Sequence, residues 1–241
     1  MRKLLTGAVV ASATLALSGV AIAQVTNPAG NSTFDATLSP SKVGTKTKPK
    51  AHSLRTVLSV NRPGTTVETI TLSLGKGFKF SGKGFKKCSE AILLSSGPSG
   101  CPAGSKVGPP GTAAARLEPG GGMLDFVVSP FVGDADTFLF DVDSTGIEIH
   151  SILKGEITNR GRTLTITIPK ELRQPLFGID ATLTAIDATF SGKSGSNYIV
   201  SSTNCYDRRV KVSGRLGFAT RQDGAVVPAP ETLTEKVKCS K

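Results

Sequence analysis

The sequence predicts an all-β protein: an antiparallel β-sandwich of jelly-roll or immunoglobulin-like kind, disulfide-stapled, with one or two short helices. Three observations predict it. Apolar and polar residues alternate at period two, most plainly in TLTITIP, where Leu164, Ile166 and Ile168 take one face and Thr163, Thr165 and Thr167 the other. Gly, Pro, Asn and Asp interrupt such segments at short, fairly even intervals. Finally, the cysteine count is even, at 4, in a chain that opens like an exported protein.

The opening, MRKLLTGAVVASATLALSGVAIAQ, sets Arg2 and Lys3 before an uncharged apolar run ending in Ala21-Ile22-Ala23. That predicts a secretory signal peptide over 1–23, cut before Gln24. Thr, Ser and Gly dilute the run below the roughly 20 strongly apolar residues of a membrane anchor. No later stretch reaches spanning length, so no transmembrane segment is expected in the mature chain, which reads as secreted and loosely associated with the cell envelope at most. Loss of 1–23 leaves 218 of 241 residues, enough for one well-buried domain. The net charge of +11 becomes +9 once Arg2 and Lys3 leave. Such a cation attracts wall phosphopolymers, acidic polysaccharides or lipid head groups through a salt-screened field.

Residues 24–53, including SKVGTKTKPKAH, show no apolar period and read as a flexible basic arm, with one strand at Thr33 to Leu38. The sandwich is expected over 54–241. Its strands are read at Leu54 to Val60, Val67 to Leu74, Leu124 to Val128, Thr137 to Val142, Ile147 to Leu153, Thr163 to Ile168, Tyr198 to Ser202, Arg208 to Leu216 and Thr232 to Cys239. CSEAILLSS can make two helical turns capped by Ser89, and PKELRQPLFG one or two, opened by Pro169 and stopped by Pro175. Neither is long enough to cross over a parallel sheet, and no internal repeat is visible.

In an oxidising medium Cys88, Cys101, Cys205 and Cys239 read as disulfides. Of the three pairings open to four cysteines, proximity favours Cys88 with Cys101 and Cys205 with Cys239. On the loop-entropy model these contribute roughly 3 and roughly 4 kcal/mol. Zinc would want paired C-x-x-C or His-rich spacing, and a thiol nucleophile would need an unpaired cysteine. The Cys-x12-Cys-Pro spacing, followed by AGSKVGPPGTAAA, a β-rich body and STNCYDRRVKVSGRLGF, resembles uncharacterised secreted proteins of high-GC Gram-positive bacteria. In these, CPxxSxVG follows a first cysteine; Cys101, Pro102, Ser105, Val107 and Gly108 match it. The likeness spans about residues 75 to 239. It implies an exported, envelope-associated β-domain without an assigned activity.

Residues able to do chemistry are few. His52 falls in the basic arm, and His150 shares a polar strand face with Glu148. No G-x-S-x-G elbow is present, and Ser151 and Lys154, spaced S-x-x-K, point to opposite faces of a strand. Asp134, Asp136, Asp141 and Asp143 are hard oxygen ligands in GDADTFLFDVDSTGIEIH. DVDSTG imitates the start of a calcium loop, but Ile152 occupies the position that requires a bidentate Glu. No cofactor is therefore expected, with calcium in a sandwich loop as the weaker alternative to ordinary turn chemistry. In LGKGFKFSGKGFKKC, Lys76, Lys79, Lys83, Lys86 and Lys87 interleave with Phe78, Phe80 and Phe85. Phe78 and Phe80 suit a core, and the lysines with Arg208, Arg209, Lys211 and Arg215 suit an anion-binding patch. Trp is absent, which disfavours sugar stacking.

The leading expectation is a secreted, non-catalytic structural or interaction protein, its partner an anionic envelope polymer or another surface protein and not a specific nucleic acid. The alternatives are a salt-sensitive binder of anionic polymers and a secreted metal-assisted hydrolase.

Overall fold

The computed structural model describes residues 32–241, so the expected signal peptide lies outside the described residues. The strands are β1 (Thr33–Ser39), β2 (Lys50–Ser59), β3 (Thr66–Leu74), β4 (Phe78–Phe80), β5 (Gly111–Glu118), β6 (Met123–Asp134), β7 (Thr137–Ser144) and β8 (His150–Thr158). They continue with β9 (Thr163–Thr167), β10 (Asp180–Phe190), β11 (Lys193–Ser194), β12 (Asn197–Tyr198), β13 (Val200–Ser202), β14 (Arg209–Ala219) and β15 (Glu231–Lys238). Two α-helices accompany them, α1 (Glu90–Ser96) and α2 (Lys170–Arg173).

One 13-stranded sheet runs in the order β15-β14-β3-β9-β8-β7-β6-β5-β10-β2-β13-β4, with β1 on β2. Its ladders are antiparallel. The sheet folds over so that its two halves face each other as a sandwich. β5 to β9 form an uninterrupted meander, the outcome of short hairpin connections. Beyond β1 the chain returns to β15 through a Lys42–Ser240 bridge, where the Val43 amide donates to Ser240 O at 2.8 Å.

The inward faces are those that period two marks out. Leu164 and Ile166 of β9 are buried and Thr167 is exposed; Phe78 and Phe80 are buried around exposed Lys79. Removing each such side chain from water contributes roughly 1.5–3 kcal/mol. Ser89 caps α1 by accepting from the Ile92 amide at 3.3 Å, and α2 begins after Pro169. α1 lies on the outer face of the sheet, where Leu93 packs in a second small core with Cys88, Phe131 and Leu139. Cys88 is bonded to Cys101 and Cys205 to Cys239. The first disulfide staples α1 and its loop to this outer core.

Three expectations change. From residue 32 onward the supposed flexible arm of 24–53 is part of the sandwich, because Phe34, Leu38 and Val43 are buried and residues 50–53 open the long strand β2. Strand β8 starts at His150 instead of Ile147, since Ser144 Oγ accepts from the Gly146 and Ile147 amides and holds a turn there. GTAAARLE and DATLTAIDATF form neighbouring strands β5 and β10 that were not expected, their alanines being poor strand signals.

Those alanines leave space. Between the layers lies an apolar cavity of ≈ 120 Å³, lined by inward residues of both halves and capped by Leu172 of α2. At about 24 cal/mol per Å³ such a hollow costs on the order of 3 kcal/mol of stability.

Candidate functional site

Ladder registers sort the charges. The end of β3, the start of β9, the end of β8, the start of β14 and the end of β15 meet at one end of the sandwich. There Arg209 stands directly opposite Lys238, and Lys211 opposite Lys236. Val210, Val212 and Val237 point into the core, so period two turns all four cations to solvent. Strand spacing and rise make the quartet a rectangle of roughly 5 by roughly 7 Å. Like charges directly opposite on a sheet repel. The ion pairs among the described residues involve Arg55, Arg62, Lys87, Arg116, His150, Arg173 and Arg221, and none of these belongs to the quartet.

The surroundings hold this surface rigid. The Cys205–Cys239 bond joins the segment before β14 to the residue after β15, and the Cys239 amide donates to Arg208 O at 3.0 Å. Asp207 and Arg208 both have φ of 54°, in the left-handed region, and the Arg209 amide closes the turn onto Tyr206 O at 3.1 Å. Two such φ values make a β-turn of the primed kind, here without the glycine that usually eases it. Lys76 adds a fifth cation, its Nζ 5.1 Å over the Tyr206 ring, and the Gly75 amide binds Lys211 O at 2.8 Å.

Of the expected cations, Lys76, Arg208, Arg209 and Lys211 therefore gather, with Arg215 further along the same exposed face of β14. Lys79 lies beside Gly161 in the β8–β9 turn that also carries Arg160. Lys83, Lys86 and Lys87 sit apart, where the Gly82 amide reaches Ala135 O, and Lys87 Nζ donates to Asp134 Oδ1 at 2.6 Å. That bond, with the Ala135 amide, holds the Asp134 carboxyl below its ordinary value. Lys236 and Lys238 were missed. Their signal is the alternation in EKVKC, which carries meaning only beside β14.

The four expected metal ligands split in the same way. Asp134 and Asp136 flank the β6–β7 turn, while Asp141 and Asp143 lie toward the far end of β7. His150 joins the latter pair, opposite Asp143, so that one donor atom from each of the three lies within 4.8 Å of the others. His150 Nε2 donates to Asp141 Oδ1 at 2.8 Å. Burial pushes the Asp141 carboxyl up, the His150 bond opposes this, and the Asp143 charge adds to it. One imidazole with two carboxylates is a donor set for zinc or manganese more than for calcium.

His52 is no arm residue. It is buried, its Nδ1 donates to Pro40 O at 2.7 Å, and Ser202 Oγ lies 2.6 Å from its Nε2. Burial pushes its imidazole below the ordinary value, against the pull of the Pro40 bond. The pair has the spacing of a serine–histidine dyad, yet Ser202 is 0% exposed, so nothing in solvent reaches its hydroxyl. Its visible work is to tie residues 40–44 to the sheet, the Gly44 amide also donating to Ser202 Oγ.

The opposite end gathers carboxylates around Arg221, which reaches Glu118 at 2.8 Å, Asp223 at 3.1 Å and Asp180 at 3.7 Å. No helix of the described residues is long and apolar enough to cross a membrane. No protein-family model, curated protein or solved structure matches the chain.

Proposed function

We propose that the chain is an exported, non-catalytic interaction protein that holds anionic envelope polymers against the basic end of its sandwich. The quartet of Arg209, Lys238, Lys211 and Lys236 carries the reading. Four cations held at strand spacing raise one another's potential, and a row of phosphate or carboxylate groups relieves that repulsion. The rigid setting favours a binding role: a disulfide at the base and a left-handed Arg208 keep the charges from dispersing. Export is supported by the signal-like opening and by disulfides, which persist in oxidising compartments.

The test is co-sedimentation of the oxidised chain from Gln24 onward with purified cell envelopes, from low to high salt. Retention that collapses as the Debye length shrinks, and that is lost in a Lys236→Glu, Lys238→Glu variant, is the expected result. Failure to sediment at any salt overturns the reading.

A further inference from the structure

We propose that the interior of the sandwich binds a short aliphatic chain bearing an anionic head. The cavity of ≈ 120 Å³ lies against Ala113 and Ala115 of β5, which stand opposite Ile186 and Leu183 of the neighbouring β10, with Ala181 and Ala188 of β10 extending the same wall on either side. The facing layer does not fill the space these short side chains leave. A dry hollow of about 150 Å³ lined by aliphatic and aromatic groups takes up benzene, so this one suits a slim apolar guest.

Only two polar side chains line the wall, Thr56 and Arg173. The Thr56 hydroxyl is directed at Ala188 O, 3.4 Å away. Arg173 belongs to α2, a single turn whose Leu172 closes the hollow at the end of β9. Its Nε donates to Ile168 O at 3.0 Å and its Nη2 to Glu68 Oε1 at 3.3 Å, which anchor the guanidinium at the mouth. An apolar chamber with one fixed guanidinium at its rim, its charge shared with Glu68, matches an amphiphile with its tail inside and its carboxylate on the Arg173 N–H groups that Ile168 and Glu68 leave over. Just beyond α2, Leu176 and Phe177 stand in solvent, Phe177 at 101% exposure, and make the approach to the mouth apolar. This site lies at the opposite end from the cation quartet and does not depend on it.

Isothermal calorimetry and thermal unfolding of the chain from Gln24 onward, with octanoate and with octanol, test the assignment. Octanoate is expected to bind and to raise the unfolding midpoint with concentration, and octanol to bind about tenfold more weakly. Arg173→Gln should bring octanoate down to the level of octanol, and Ala115→Leu should abolish both signals. Should Ala115→Leu not fold, the smaller filling Ala188→Val is read in its place. No octanoate binding to the wild type, together with a filled variant that unfolds at higher temperature, overturns the proposal and marks the hollow as unfilled core. Equal binding of octanol and octanoate overturns the role of Arg173.

Discussion

The two ends of the sandwich treat arginine in opposite ways. Arg221 is 8% exposed and surrounded by Glu118, Asp180 and Asp223, and it ties together the loops after β5, α2 and β14. Arg209 is exposed, faces Lys238, and has no carboxylate within ion-pairing reach among the described residues. One end uses its charges for cohesion; the other leaves them without carboxylate partners among the described residues, as the proposed binding role requires. A network of buried charges is costly to break, whereas an exposed like-charged ladder costs little to alter and changes mainly what binds.

The largest effect is expected from Arg221→Met. It removes the cation from between Asp180, 2% exposed and then held by the Gln222 amide and Gln174 Nε2, and a half-buried Glu118, and should lower unfolding stability by about 3 kcal/mol in urea titrations while leaving envelope binding intact. Binding lost along with stability would break the division of labour between the ends.

Asp141 offers a second probe. Burial raises its folded carboxyl above the ordinary value, so the native state holds the proton more tightly than the unfolded chain, and stability falls as pH climbs from the ordinary value through the raised one. Asp141→Asn removes that loss. It should be more stable than the wild type at neutral pH, with the gain fading in acid, as read by denaturation at both pH values. A variant less stable at every pH would show that the bond to His150 outweighs burial.

The smallest change in stability, and the sharpest contrast, is expected from Lys236→Glu. Opposite Lys211 it replaces repulsion with attraction and should add about 0.2–1 kcal/mol while weakening envelope binding. A variant that gains stability and still binds equally well would move the binding surface away from the quartet.

Much of the fold was legible because it rests on local chemistry. Thr163 to Ile168, Val67 to Leu74 and Thr137 to Val142 all announce strands by alternation, and the structure places strands there. Ser89 announces its cap because the hydroxyl needs only the amide three residues on. The strands β5 and β10 were hidden, since alanine neither favours extended chain nor marks a face, and their pairing across about 70 residues supplies what propensity lacks. Of the candidate site, the cations of β14 were legible as charge, but their partners on β15 were not. The meeting of Asp141 with His150 was equally hidden, because it follows from the register of β7 on β8.

By itself, then, the sequence determined the class of fold, the inward face of its clearest strands, the cap of α1 and the favoured pairing of its cysteines. Each depends on side-chain periodicity or on neighbours close along the chain. Only the tertiary structure decided that Lys236 and Lys238 complete the cation quartet, that His52 meets Ser202, and that the wall formed by β5 and β10 borders a hollow. Those outcomes depend on which strands pair, in what register, and on how the sheet folds over, and they are settled by burial and hydrogen bonding summed over the whole chain.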